Sequence, residues 1–258
     1  MLKLIIFTLL AAIATASRLE VIGGKDVDPP GKYPWQVALT YLDRQYCGGS
    51  LLSAHWVLTA AHCIVGSPIT NEAVLIGAHD IETRSQGNPM SYPFSAVFIN
   101  PDWIDVFGGG DIGLVFVQQH MDIEGNEFAD RISMAEEGAD FMDADCVISG
   151  WGRTEEWPVS VSANPDILQE ADVREVDHAT CEERHGRDIG ETVICVSGDF
   201  ERGGCHGDSG GPLVCQQDGE LVLVGVTAGG DTRCRLEFPS LYGRVSHHRA
   251  WIKEVSGL

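Results

Sequence analysis

The chain has 258 residues with 17 Lys or Arg against 38 Asp or Glu, a formal net charge of −21. A surface that acidic repels nucleic acid and anionic membranes and offers no basic patch for phosphate, so neither is expected as a partner. The acidity serves solubility, or steers cationic peptides inward with a salt-sensitive on-rate.

In chain order, the first element is a leader. Lys3 supplies a positive start, Leu4 to Ile13 an apolar core, and Ala14-Thr15-Ala16 a small-residue cleavage site. Residues 1–16 are therefore expected to be a signal peptide, because the apolar run is too short to span a bilayer. Export to an oxidising compartment makes disulfides the expected state of the eight cysteines. Sequence alone leaves about a hundred pairings open. No C-x-x-C pair or His/Cys cluster suggests zinc, and no metal or other cofactor is expected. Short apolar runs follow at Trp56–Thr59, Leu114–Val117, Cys146–Ser149 and Leu221–Val226, rich in Val and Ile and shorter than a helix. They predict an all-β protein. Only Asp177–Arg184 and Arg249–Val255 read as helical, and there is no internal repeat or low-complexity linker.

Three short motifs carry chemistry. The first is His62 in Leu58-Thr59-Ala60-Ala61-His62-Cys63, the second Asp111 in Gly110-Asp111-Ile112-Gly113-Leu114. The third is Ser209 in Cys205-His206-Gly207-Asp208-Ser209-Gly210-Gly211-Pro212. A serine hydroxyl is a poor nucleophile at neutral pH and needs a base to take its proton and donors to hold the oxyanion. Alone, each motif has an ordinary structural reading: a histidine beside a cysteine, a capping aspartate, a Gly-rich turn. Together they supply nucleophile, base and orienting carboxylate.

These motifs, with Val21-Ile22-Gly23-Gly24, Pro34-Trp35-Gln36-Val37, Cys47-Gly48-Gly49-Ser50-Leu51, Ser149-Gly150-Trp151-Gly152 and Trp251-Ile252, resemble the trypsin/chymotrypsin family of serine endopeptidases from Val21 to the C-terminus. The resemblance implies two six-stranded antiparallel β-barrels with a C-terminal helix, and a cleft between them holding His62, Asp111 and Ser209. It implies an oxyanion hole from the backbone N–H groups of Gly207 and Ser209, and disulfides Cys47–Cys63, Cys146–Cys215, Cys181–Cys195 and Cys205–Cys234. It also implies a monomer acting on protein or peptide substrates and open to protein inhibitors. The protease domain would span 21–258 after a propeptide 17–20, with the Val21 ammonium pairing Asp208 once cut. Glu20 departs from the basic residue that usually precedes that point, so removal of Ser17–Glu20 by dipeptide steps or by a Glu-specific enzyme is expected.

By the same resemblance Gly203 is the floor of the specificity pocket, Gly230 its wall and Ser240 a small polar bulge at depth. With no charge at the floor, large apolar or aromatic P1 residues are expected over Lys and Arg; an elastase-like preference is the alternative. Ala228 lacks a hydroxyl that usually supports the aspartate, Gly229 lacks an aromatic platform, and Gly108 leaves the next subsite unwalled, which together predict an open, permissive cleft. Ala78 after Gly77, with only Asp80 and Glu82 nearby, gives too few oxygens for calcium. The rival functions are a catalytically impaired homologue acting as a binding protein, for which Ala228 and Gly229 speak, and a narrow processing protease.

Overall fold

The structure is a computed structural model that describes residues 21–155 and 164–258. The expected signal peptide and propeptide lie outside the described residues. The elements in order are β1 (Lys25–Asp26), β2 (Gln36–Tyr41), β3 (Arg44–Leu51), β4 (Trp56–Thr59), the single turn α1 (Ala61–Ile64), β5 (Glu72–Ala78), β6 (Gly87–Pro93), β7 (Ala96–Ile99) and β8 (Gly113–Phe116). The second half adds β9 (Cys146–Gly150), β10 (Gln169–Val176), α2 (His178–His185), β11 (Val193–Ser197), β12 (Pro212–Gln217), β13 (Glu220–Gly229), β14 (Ser240–Arg244), a 3₁₀ turn (Val245–His248) and α3 (Arg249–Ser256).

All strand pairs are antiparallel and form two sheets. The second runs β1-β10-β11-β14-β13-β12-β9, and an added β9–β10 pairing closes six of its strands into a barrel with β1 appended. The first runs β6-β5-β2-β3-β4-β8-β7. Its two outer members are consecutive in the chain. Between them Phe94 N–H reaches Glu72 O and Ser95 N–H reaches Phe116 O, so one bent strand serves both edges. The expected six strands therefore appear as seven ladder segments, because Pro93 has no N–H to continue a ladder where the strand bends.

The expected fold class holds, and both predicted helices are present as α2 and α3. The Asp177 carboxylate caps α2 by accepting the Thr180 N–H at 2.9 Å, and Gly186 ends it in the left-handed conformation. All four implied disulfides are formed: Cys47–Cys63, Cys146–Cys215, Cys181–Cys195 and Cys205–Cys234.

Each barrel has its own apolar core, the first around Val37, Leu39, Val57 and Ile76, the second around Ile148, Ile194, Leu213 and Tyr242. A third cluster joins them: Leu58, Ile112 and Leu114 meet Val214, Val226, Val245 and Ile252 of α3. Buried polar ties cross the same seam, with Ser149 Oγ donating to Gln36 Oε1 at 2.7 Å and Gly48 N–H to Ser209 O at 2.7 Å. No described helix is long and apolar enough to cross a membrane.

The seam tolerates little added volume at Gly210. Its φ is +80°, and a Cβ there would overlap Thr59 Oγ1 and stand 2.5 Å from Gly48 O. Gly210→Ala, tested on a Ser209→Ala background to prevent self-digestion, should lose about 2–4 kcal/mol of stability in denaturant unfolding, from overpacking and left-handed strain together. An unchanged midpoint would show that the barrels separate freely at this point.

Candidate active site

β4 and β8 are paired with Thr59 opposite Gly113. The chain leaving β4 therefore starts beside the chain entering β8, and that alone brings His62 and Asp111 together. The His62 backbone N–H donates to Asp111 Oδ1 at 2.9 Å, and His62 Nδ1 lies 2.6 Å from Oδ2. With the carboxylate ionised, Nδ1 carries the proton and Nε2 presents its lone pair. Asp111 is buried, whereas the His62 ring is partly exposed. The Cys47–Cys63 bridge holds the turn that carries His62. Cys47, His62 and Cys63 offer donor atoms within 4.8 Å of one another, but both sulfurs are spent in the disulfide and provide no thiolate for a metal.

In the second barrel, β12 and β13 pair with Pro212 opposite Val226. This sets Ser209, just before β12, against Thr227–Gly230 at the end of β13. Gly210 N–H donates to Thr227 O at 2.8 Å and Gly211 N–H to Asp208 O at 2.9 Å. Gly207 has φ +104°, which its neighbours could not adopt cheaply, and its carbonyl accepts Gln45 Nε2 at 2.7 Å. The N–H groups of Gly207 and Ser209 have no acceptor among the described residues.

His62 and Ser209 line one cleft of about 270 Å³. Among the described residues Ser209 Oγ makes no hydrogen bond, and His62 Nε2 instead lies 3.7 Å from Cys63 Sγ. Base and nucleophile thus share a cleft without closing the bond between them, a contact that in this chemistry tightens when substrate binds.

Asp208 is buried and accepts Gly152 N–H at 2.8 Å and Cys205 N–H at 3.0 Å. Burial pushes its carboxyl up to about 6, against which the two backbone donors act. Val21 is fully buried in the core of the same barrel. Ile22 packs with the Cys205–Cys234 bridge and accepts Gly203 N–H at 3.2 Å. While Glu20 remains attached, the Val21 nitrogen is an amide and brings Asp208 no charge.

Of the expected pocket residues, Gly230 and Ser240 line the cleft, and Gly203 sits against two of its lining side chains. A Cβ at Gly203 would stand 3.1 Å from Ser240 Oγ and 3.4 Å from Leu236 Cδ2, so this glycine leaves room beside both. Sequence reasoning missed Leu236, Phe238 and Arg235 on the wall. Arg235 grips Asp231 with Nε at 3.1 Å and Nη2 at 2.8 Å, reaches Glu237 at 3.1 Å, and lies 4.4 Å over the Phe238 ring. The Arg235 guanidinium and the nearby backbone N–H groups hold the Asp231 carboxyl down at about 2. Asp231 therefore lines the cleft as one half of an ion pair. A four-residue spacing in a loop carries no periodic signal that would have revealed it.

Val106, which lines the cleft, lies against the bare face of Gly229, while Ile104 stands beside Gly108 within its own loop and is exposed. Ala228, as expected, offers Asp111 no hydroxyl; the carboxylate is held by the two donors of His62. Asp80, weighed above as a calcium ligand, accepts Thr83 N–H at 2.7 Å and both the Thr83 and Ser85 hydroxyls.

Comparison with known proteins agrees with this geometry. A family profile described as Trypsin matches residues 21–252. Bovine (Bos taurus) chymotrypsin-C is 32% identical over 249 residues, covering 91% of this chain and 88% of its own length. Among solved structures, neuropsin, a serine protease expressed in the limbic system of mouse brain, superposes with a TM-score of 0.78 at 28% identity. That match covers 91% of this chain and 99% of the neuropsin chain.

The buried Asp208 generates a pH test on the uncut chain. Its folded pKa is raised from 3.8 to about 6, so the folded state holds the proton more tightly than the unfolded one. Stability should fall as pH rises from about 4 to 6, by on the order of 3 kcal/mol, and level off above that window. Asp208→Asn should remove the fall, as read from unfolding midpoints across pH. Equal pH slopes in the two proteins would mean that Asp208 is solvated.

Proposed function

Because the chain belongs to the trypsin family of serine endopeptidases, we propose that His62, Asp111 and Ser209 are its catalytic triad and that it cleaves peptide bonds after large apolar or aromatic residues. The observation that carries the reading is the 2.6 Å His62–Asp111 pair on the cleft that Ser209 lines. On substrate binding, Ser209 Oγ attacks the scissile carbonyl carbon while His62 Nε2 takes its proton. Asp111 holds the imidazolium that results. The oxyanion sits at the N–H groups of Gly207 and Ser209, already unengaged by protein acceptors. Collapse returns the proton to the leaving amine, and water then releases the acyl group by the same steps in reverse order.

The P1 reading rests on the slot between Ser240, Leu236 and Gly230, with Arg235 and Asp231 cancelling each other on its wall. A lysine or arginine side chain finds no unpaired carboxylate there and meets a fixed guanidinium. Secretion is inferred from the leader over 1–16 and the four disulfides, and action as a monomer open to protein inhibitors goes with it.

Activation follows from Asp208. Removal of 17–20 would turn the Val21 amide into an ammonium, the cation that a buried carboxylate lacks. The ordinary α-amino pKa is near 8 and pairing raises it. The stabilisation is then fully present below that value and is lost as pH rises through the raised one.

Ser209→Ala should abolish turnover and labelling by an organophosphonate without changing the unfolding midpoint; retained turnover would refute the triad. In a positional peptide library the processed enzyme should cleave after Phe, Tyr or Leu at least tenfold faster than after Lys or Arg, and an Arg preference would overturn the pocket reading. Protein beginning at Val21 should exceed protein beginning at Ser17 by about 10²–10³ in rate, the worth of an oxyanion donor. N-terminal sequencing of the active species checks this, and full activity from a chain starting at Ser17 would refute it.

A further inference from the structure

We propose that Glu170 is a positioning residue for activation, clamping the chain just past the new N-terminus so that the freed Val21 ammonium is held at Asp208. The proposal rests on the activation reading above and adds the device that delivers the cation. The buried Glu170 carboxylate, on β10, grips both ends of the segment 25–33. At one end Lys32 Nζ donates to Oε1 at 2.8 Å and to Oε2 at 2.6 Å, and the Tyr33 hydroxyl donates to Oε2. At the other end Lys25 lies opposite Glu170 in the β1–β10 ladder and brings its ammonium to 3.5 Å. Beside them Gln169 Nε2 donates to Asp26 Oδ1 at 2.9 Å, and Val27 N–H donates to Leu168 O at 2.9 Å. Burial acts to raise the Glu170 carboxyl, but the hydrogen bonds of Lys32 and Tyr33 and the charges of Lys32 and Lys25 hold it below its usual range. The clamp is therefore ionic.

What it holds is short and pliant. Val21–Gly24 ends in two glycines, and Gly23 sits at φ +74°, so this stretch has little stiffness of its own. Four residues reach at most about 14 Å. The point at which β1 is fixed thus decides where Val21 can go. A tether so close to the terminus also makes pairing with Asp208 an intramolecular event at high effective concentration.

The socket stands on the same strands as the clamp. β9 and β10 pair with Gly150 opposite Gln169 and Ser149 opposite Glu170. The bare face of Gly150 lies against Asp208, where a Cβ would overlap Oδ1. The separation of clamp and socket is accordingly set by one ladder and not by a loop.

The test uses protein beginning at Val21. On a Ser209→Ala background, cyanate carbamylates free α-amines and mass spectrometry follows the Val21 nitrogen. With Glu170 present, Val21 should react about a hundredfold more slowly than the free peptide Val-Ile-Gly-Gly, and Glu170→Gln should speed it about tenfold. Lys32→Met should act in the same direction, while Lys32→Arg, which keeps the charge, should stay protected. With Ser209 intact, a tenfold loss of pairing should lower the alkaline limit of kcat/KM by about one pH unit, leaving activity at neutral pH little changed. Thermal unfolding establishes that each variant is folded, and Lys32→Met, at a partly exposed side chain, carries the test if Glu170→Gln is not. Unchanged protection and an unchanged alkaline limit in a folded variant would overturn the inference, whatever its melting temperature. Val21 reacting as fast as the free peptide would refute the activation reading and the clamp with it. Absence of peptide cleavage with Val21 protected would fall on the endopeptidase reading alone, and the carbamylation rates would still decide the clamp.

Discussion

Every group of the site depends on the apolar seam between the barrels. Leu58, Ile112 and Leu114 on one side and Val214, Val226 and Ile252 on the other are withdrawn from water together, and the first four lie close in sequence to a catalytic candidate. Leu58 is four residues before His62, Ile112 follows Asp111, and Val214 is five after Ser209. Burying that contact fixes the spacing of three side chains that come from two separate sheets. Buried side chains of this kind contribute about 1.5–3 kcal/mol each against exposure, far more than the polar ties that cross beside them.

Against that apolar frame the buried Asp208 is a deliberate cost. A carboxylate with two backbone donors and no cation prefers its proton, which is why its pKa moves upward. The same carboxylate is adjacent to Ser209, and its own N–H and C=O form the turn around the nucleophile. Charge in the interior and geometry at the nucleophile therefore meet in one residue.

A second pattern is substitution by neighbours. Arg235 neutralises an aspartate on the pocket wall and lays its guanidinium on Phe238, which lets two charges line an otherwise apolar slot. Ile104 and Val106 cover the backbone at Gly108 and Gly229. In each case a loop supplies what a strand position lacks, consistent with loops carrying selectivity while barrels carry position.

By itself the sequence determined the chemistry and the class of fold. The triad motifs are contiguous because a nucleophile's turn, a base's helix turn and a carboxylate's strand entry are each set by residues next to one another. β4 was legible from its apolar run for the same reason. β10 was not, since Gln169-Glu170-Ala171-Asp172 reads as polar; Glu170 is nevertheless buried because Lys32, 138 residues away, donates to it at 2.8 Å and 2.6 Å and Tyr33 adds its hydroxyl. Only the tertiary structure decided that Asp231 is spent on Arg235, that Ser240 and Leu236 close on Gly203, and that Val106 stands against Gly229. Those outcomes depend on which side chains meet across loops and barrels, and a meeting of that kind leaves no local period or spacing in the chain.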